Sequence, residues 1–216
     1  MRPRRPAPLP ALLPEALRAS AMRVTLAGGQ ALFKQGDPVG DIFYVLRGEM
    51  LALRHLPDGT EAVMQRARSG EFFAQAAMQL SHHACNARAA TASELVRLPV
   101  RQLAQALATD ARFAWTFPAR LACDLRRQCT RVERLLMKLG RDRVLHYLVC
   151  EGSPADQGLS IADLAEEVGL DPCTVSRLIA ELRASGELVG RGRHIQLAPA
   201  YALSAAAPRR ATGLPS

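Results

Sequence analysis

Apolar residues from about Arg23 to Pro99 come in short runs, cut by glycine turns at Gly28-Gly29, Gly36-Asp37, Gly48, Asp58-Gly59 and Gly70. Ile42-Phe43-Tyr44-Val45-Leu46 and Met50-Leu51-Ala52-Leu53 have the length and side chains of strands. Asp58-Gly59, between Leu53 and Ala62-Val63-Met64, is a strong hairpin signal. Strands at this regular spacing predict an antiparallel β-roll, a jelly roll or double-stranded β-helix, closed around a pocket. Ahead of it, Pro14 to Met22 predicts a short helix with Leu17 and Ala21 on one side.

The rhythm turns helical from Arg101 onward. Leu121, Leu125, Gln128, Val132, Leu135 and Leu139 are spaced 4, 3, 4, 3 and 4, a heptad seam with one polar position. The same spacing also suits a helix buried against its own domain. Pro118 marks the start of this helix or a kink in it.

Ser160 to Leu178 predicts two short helices joined by a tight turn. Ser160 and Asp163 have the spacing of a capping box, and Ile161, Leu164, Ala165 and Val168 form one apolar stripe. Ala165 is small where the two helices must cross closely. Gly169 supplies the turn, Asp171 caps the second helix, and Pro172 occupies its first turn, where no N–H is needed. Val175, Leu178, Ile179 and Leu182 share the buried face. Pro172, Cys173, Ser176, Arg177 and Ala180 are left on the opposite one, with Thr174 beside them. This is the pattern of a helix-turn-helix, whose second helix enters the major groove of double-stranded DNA. Arg177 can donate two hydrogen bonds to guanine, and Ser176 can reach a phosphate or a base edge. Glu187 to Leu197 then predicts a hairpin wing, with Arg191 and Arg193 beside a phosphate strand. Helix-turn-helix proteins pair to read two half-sites, which favours a self-pairing role for the heptad seam.

Charge changes this picture little. The net charge is +8, yet residues 138–204 hold seven Lys/Arg against nine Asp/Glu. DNA binding must therefore rest on where Arg177, Arg183, Arg191 and Arg193 point. The excess lies at Arg2, Arg4 and Arg5 and at Arg126, Arg127, Arg131 and Arg134. Cys85, Cys123, Cys129, Cys150 and Cys173 are scattered and form no Cys-x-x-Cys, which fits a reducing, cytoplasmic setting without a zinc module. No apolar run approaches the roughly 20 residues of a membrane span.

The expected class is α+β. Residues 1–13 form a mobile basic, proline-rich arm, 14–109 the sensor roll with flanking helices, and 110–139 the dimerisation helix. Residues 140–204 form a winged helix-turn-helix and 205–216 a disordered tail.

This order resembles the Crp/Fnr family of bacterial transcription regulators over about residues 14 to 198. In the roll the resemblance rests on Phe33-Lys34-Gln35-Gly36-Asp37, Phe43-Tyr44-Val45-Leu46-Arg47-Gly48 and Gly70-Glu71-Phe72-Phe73. In the reader it rests on Val168-Gly169 and Thr174-Val175-Ser176-Arg177. It implies a homodimeric transcription regulator of the activator type, acting on near-palindromic DNA and on RNA polymerase under control of an effector. A hinge near Gly140 would couple the two parts. The resemblance leaves open the effector, the operator and the sign of regulation.

Departures from the family pattern concern the signal. Cyclic-AMP-binding members carry a Gly-Glu pair and an Arg-Ser pair around the phosphate. Here Ala74-Gln75-Ala76 and Cys85-Asn86-Ala87 stand there, so the counter-charge is missing unless Arg88 reaches in. Gln128 and Cys129 replace the two small hydroxyl residues that touch the base. Cys173 replaces a glutamate that accepts from cytosine in many members. With no cysteine before Cys85, no iron–sulfur cluster of the family's kind is expected. Ser81-His82-His83-Ala84-Cys85 lies near where carbon-monoxide-sensing relatives hold haem. His82, His83 and Cys85 are thus either haem ligands or part of an exposed loop. A DNA binder without any effector is a further reading. A metal-dependent jelly-roll oxygenase is the remote one, since His55, His82, His83, His146 and His194 do not form its ligand set.

Overall fold

The glycine turns close eight strands in a computed structural model that describes residues 7–199. The described chain divides into two units, the first ending at Arg120 and the second beginning at Leu121.

In the first unit, α1 (Glu15–Ser20) precedes β1 (Met22–Leu26), β2 (Ala31–Phe33), β3 (Asp41–Arg47), β4 (Glu49–His55) and β5 (Glu61–Arg68). Next come β6 (Phe72–Phe73), a 3-10 turn at Gln75–Ala77, β7 (Asn86–Ala89), β8 (Ser93–Pro99) and α2 (Val100–Thr109). Two four-stranded antiparallel sheets result, ordered β1-β8-β3-β6 and β2-β7-β4-β5. Neighbours in a sheet are mostly distant in sequence, which makes the roll. The hairpin expected at Asp58-Gly59 joins β4 to β5, where Asp58 Oδ1 accepts from the Thr60 N–H at 3.0 Å. Phe33, Phe43, Val45, Met50, Phe73 and Leu95 fill the space between the sheets.

The first turns of α3 (Ala111–Leu136) cover the outer face of the β1-β8-β3-β6 sheet. Phe72 meets Tyr44 and Phe117 edge-on at 5.1 and 4.9 Å, and Phe113 and Phe117 are both buried. Burying aromatics of this size contributes about 1.5–3 kcal/mol each. That holds α3 through Pro118, which neither starts the helix nor breaks it.

The second unit holds the remainder of α3, then α4 (Gly140–Glu151), α5 (Ile161–Val168), α6 (Pro172–Ala184), β9 (Leu188–Arg191) and β10 (His194–Leu197). Val144, Leu148, Leu164, Val168, Val175, Ile179 and Ile195 form its core.

Several expected boundaries shift. Residues 7–13 are not a loose arm: Leu13 is 1% exposed, and the Arg23 guanidinium donates to the Ala7 carbonyl. Residues 1–6 and 200–216, with Arg2, Arg4, Arg5 and the expected tail, lie outside the described residues. The helix ends at Leu136, so Leu139 is not on it and instead precedes α4. Gly140, at the expected hinge, is closely packed: a Cβ there would lie 2.9 Å from Leu170 Cδ1 and 3.3 Å from Leu178 Cδ1.

Candidate nucleic-acid interface and sensor cavity

Local capping chemistry builds the helix-turn-helix. Ser160 Oγ accepts from the Asp163 N–H at 3.1 Å, and the Ser160 N–H donates to Asp163 Oδ2 at 2.8 Å, closing the capping box on α5. Gly169 adopts φ 65°, and a Cβ there would lie 2.6 Å from Leu135 Cδ2. Both the left-handed backbone and the close approach therefore require glycine. Asp171 Oδ1 accepts from the Thr174 N–H at 2.8 Å and caps α6. Hydrogen bonds from the Thr174 side chain and backbone hold the Asp171 carboxyl below its ordinary range.

α6 turns Val175, Ile179 and Leu182 into the core, with Leu178 half-buried. Pro172, Cys173, Ser176, Arg177 and Ala180 all face solvent, as the spacing predicts. Thr174 is half-buried beside the cap, so it lies at the edge of this face. Ser176 Oγ donates to the Pro172 carbonyl at 2.9 Å, which leaves its oxygen as an acceptor. The Arg177 guanidinium is exposed near Glu181, a neighbour absent from the sequence reading.

The wing pairs Leu188–Arg191 with His194–Leu197 across Gly192-Arg193. Gly190, at φ 96°, passes so close to β10 that a Cβ would lie 1.9 Å from the His194 carbonyl oxygen. Ser153 Oγ and the Ala155 N–H both donate to the Arg193 carbonyl at 3.2 Å. The turn is thereby anchored while the Arg191 and Arg193 side chains stay exposed.

On α3 the exposed apolar residues follow the expected seam only in part. Leu125, Val132 and Leu136 are 65, 56 and 78% exposed. Leu121 is half-buried, and Leu135 is half-buried beside the Gly169 turn. Leu136 therefore takes the outward place expected of Leu135. Gln128 and Cys129 are exposed on the same helix in the second unit.

The β-roll holds a cavity of about 270 Å³. Its wall is largely Phe33, Ala52, Met64, Ala74, Ala76 and Leu80, with Arg54, Gln65, His83 and Cys85 as polar groups. Ala76 and Cys85 thus line it as expected. Gln75 is not among the lining residues; its Oε1 accepts from the lining Gln65 Nε2 at 3.1 Å. Asn86 Oδ1 instead accepts from the Gln35 N–H at 2.9 Å. Arg88 does not reach in: strand alternation buries Ala87 and Ala89 and sends Arg88 outward to Glu61, 2.9 Å away. Arg54, missed in the sequence, is the permanent cation among the described lining residues, and none of these is a carboxylate. It donates to the Ala84 carbonyl at 3.3 Å. Burial pushes the Cys85 thiol up, and Arg54 opposes that.

His83 is buried and stacks on Phe33 with ring centroids 3.6 Å apart. The stacked pair also lines a second cavity of about 390 Å³ with Asp37, Asp41 and Arg97 at its edge. Burial lowers the His83 pKa, while Asp37 acts in the other direction. His82 is exposed and its Nδ1 lies 2.9 Å from Ser81 Oγ. His83 and Cys85 therefore share one cavity wall and His82 does not join them. Among the described residues, no three His, Cys, Asp or Glu side chains come together as a metal site.

The cyclic nucleotide-binding domain profile matches residues 23–110. The CRP-like protein Clp of Xanthomonas campestris pv. campestris is 27% identical over 182 residues, covering 77% of this chain and 79% of its own. The structure of Clp, described as the c-di-GMP-responsive global regulator of that organism, matches with a TM-score of 0.64 at 26% identity, over 85% of this chain and 97% of Clp. The chain is thus similar to CRP-like transcription regulators over most of its length, and its residues 23–110 match the cyclic nucleotide-binding domain. FixK2 from Bradyrhizobium japonicum shares the fold at a TM-score of 0.67 and 22% identity, over 82% of this chain and 92% of FixK2. These relatives are transcription regulators and not enzymes, which goes against the oxygenase reading, whose five histidines are divided between the two units. Among the described residues, no helix is long and apolar enough to cross a membrane.

Proposed function

We propose that this chain is a homodimeric regulator of the Crp/Fnr type that reads near-palindromic double-stranded DNA with α6 and the wing. A compact ligand other than cyclic AMP, bound in the sensor cavity, controls it, and RNA polymerase is its partner at promoters. The observation that carries the DNA reading is the outward face of α6. It is capped at its N-terminus, small or polar along its length, and crowned by Arg177, with Arg191 and Arg193 projecting from the wing. Pairing is supported by the large apolar residues exposed on α3, each worth about 1.5–3 kcal/mol when covered.

The cavity favours a ligand with an apolar body and at most one negative group, since Arg54 is the cation on its wall. Selection of random duplexes by the purified full chain tests the main reading. A palindrome with two half-sites supports it, and enrichment of no sequence contradicts it.

A further inference from the structure

The most deeply buried charge in the second unit is Arg134, at 1% exposed. It stands on the last turns of α3, on the face opposite the exposed Val132 and Leu136. Its Nη2 donates to Glu151 Oε1 of α4 at 3.2 Å, and its Nη1 donates to the Glu167 carbonyl of α5 at 3.4 Å. Glu167 Oε2 lies 3.8 Å from the same nitrogen, and Arg131 Nε lies 3.5 Å from that carboxylate. The guanidinium covers the buried Tyr147 ring, with its carbon 4.8 Å from the centroid. One side chain of α3 thus grips both α4 and α5.

The Glu167 carbonyl it meets belongs to the last turn of α5, where the C=O groups lack partners within the helix and carry partial negative charge. Arg143 completes the grip: its Nη1 donates to the Val168 and Gly169 carbonyls at 3.4 and 3.3 Å, and its Nε donates to the Met137 carbonyl at 2.9 Å. The loop between α3 and α4 is therefore braced from both sides.

Stability alone gives no reason for such a residue. A buried ion pair often gains nothing over apolar side chains of equal volume, and Arg134 Nε makes no hydrogen bond. Its distinctive contribution is directional, because the planar fork fixes the angle between the groups it holds.

We infer that Arg134 is a positioning residue that makes the seam end of α3 and the helix-turn-helix one body, so that pairing through α3 dictates the half-site spacing. This rests on the dimeric DNA-reading proposal above. Adding one base pair between half-sites rotates one of them by about a tenth of a helical turn, which a rigidly held pair of readers cannot follow.

The test uses the full chain and the palindromic duplex that wild type selects. Its half-sites are moved apart or together by a base pair, and an isolated half-site is measured beside them. Arg134→Met with Glu151→Gln keeps the buried volume and neutralises Glu151, while Glu167 keeps Arg131 as its cation, 3.5 Å away. Glu167→Gln is a milder second variant, and dimerisation is checked by sedimentation. Wild type is expected to lose about tenfold or more on a one-base-pair shift, the scale of a mismatched pair, and the double variant less than about threefold. Half-site affinity should stay unchanged. The role of Arg134 is overturned if the variants keep the spacing preference, or if half-site and full-site affinities fall in step. If wild type selects no palindrome, the DNA-reading proposal falls and this inference with it.

Discussion

The Arg177 guanidinium lies 3.9 Å from the Glu181 carboxylate, one turn further along the same exposed face of α6. Both side chains are more than half exposed, so the pair contributes little to stability. On the proposed DNA-reading face it bears instead on recognition, since Arg177 would have to leave Glu181 to reach a guanine edge and Glu181 would repel phosphate. Glu181→Gln should tighten DNA binding broadly, most at low salt. Arg177→Ala should cost about 1–3 kcal/mol of discrimination at one base pair. Affinity titrations over single-base variants of the selected duplex distinguish the two. An Arg177→Ala protein that ranks all variants as wild type does would remove Arg177 from base reading.

The wing makes a different prediction. Arg191 and Arg193 flank a turn fixed by Ser153 and Ala155, and neither projects from a helix that enters a groove. Replacing either by alanine should weaken binding to every sequence alike. The slope of log affinity against log salt should fall by about 1 per arginine. A loss confined to particular base pairs would show that the wing reads sequence.

Leu125 and Val132 against Leu135 separates pairing from folding. Leu125→Arg or Val132→Arg should give monomers by sedimentation, losing about 3–6 kcal/mol of dimer stability when both copies are counted. Leu135→Ala should instead lower the melting temperature of the second unit and leave pairing intact, because Leu135 packs beside Gly169. Monomers from Leu135→Ala alone would restore the seam expected from spacing.

His83 predicts a pH dependence. Burial lowers its folded pKa below the ordinary 6.5, so the unfolded chain binds the proton more readily. The stability this represents is fully present above the unfolded pKa and is lost as pH falls toward the folded one. Asp37 opposes burial and limits the loss. Melts of the first unit should move down between about pH 7 and 5, and His83→Phe, which keeps the stack on Phe33, should flatten that response. His146 shifts in the same direction in the second unit, chiefly through burial, so a residual slope belongs there. A wild-type melting curve in the first unit that does not move with pH would contradict the role of His83.

What could be read from the chain alone follows the range of the interactions. Ser160, Asp163, Gly169, Asp171 and Pro172 act within one turn of their own position, so the helix-turn-helix was legible down to its caps. The strands of the roll were legible from their turns, but their order was not. β7 lies between β2 and β4 through pairings distant in sequence. Arg88 could have been placed outward from strand alternation, with small Ala87 and Ala89 on either side. Arg134 could not have been placed, since its carboxylate and ring partners come from two other helices and its own neighbours suggest surface charge. The departure from the expected seam was hidden for the same reason: heptad spacing does not say which leucine the Gly169 turn will take.

Hydroxyl-radical footprinting of the full chain on its selected duplex tests the central claim most directly. The account predicts two protected tracts centred about one helical turn, ~34 Å, apart, both weakened together by Arg177→Ala or Leu125→Arg. A single tract, or protection that neither substitution alters, would contradict it.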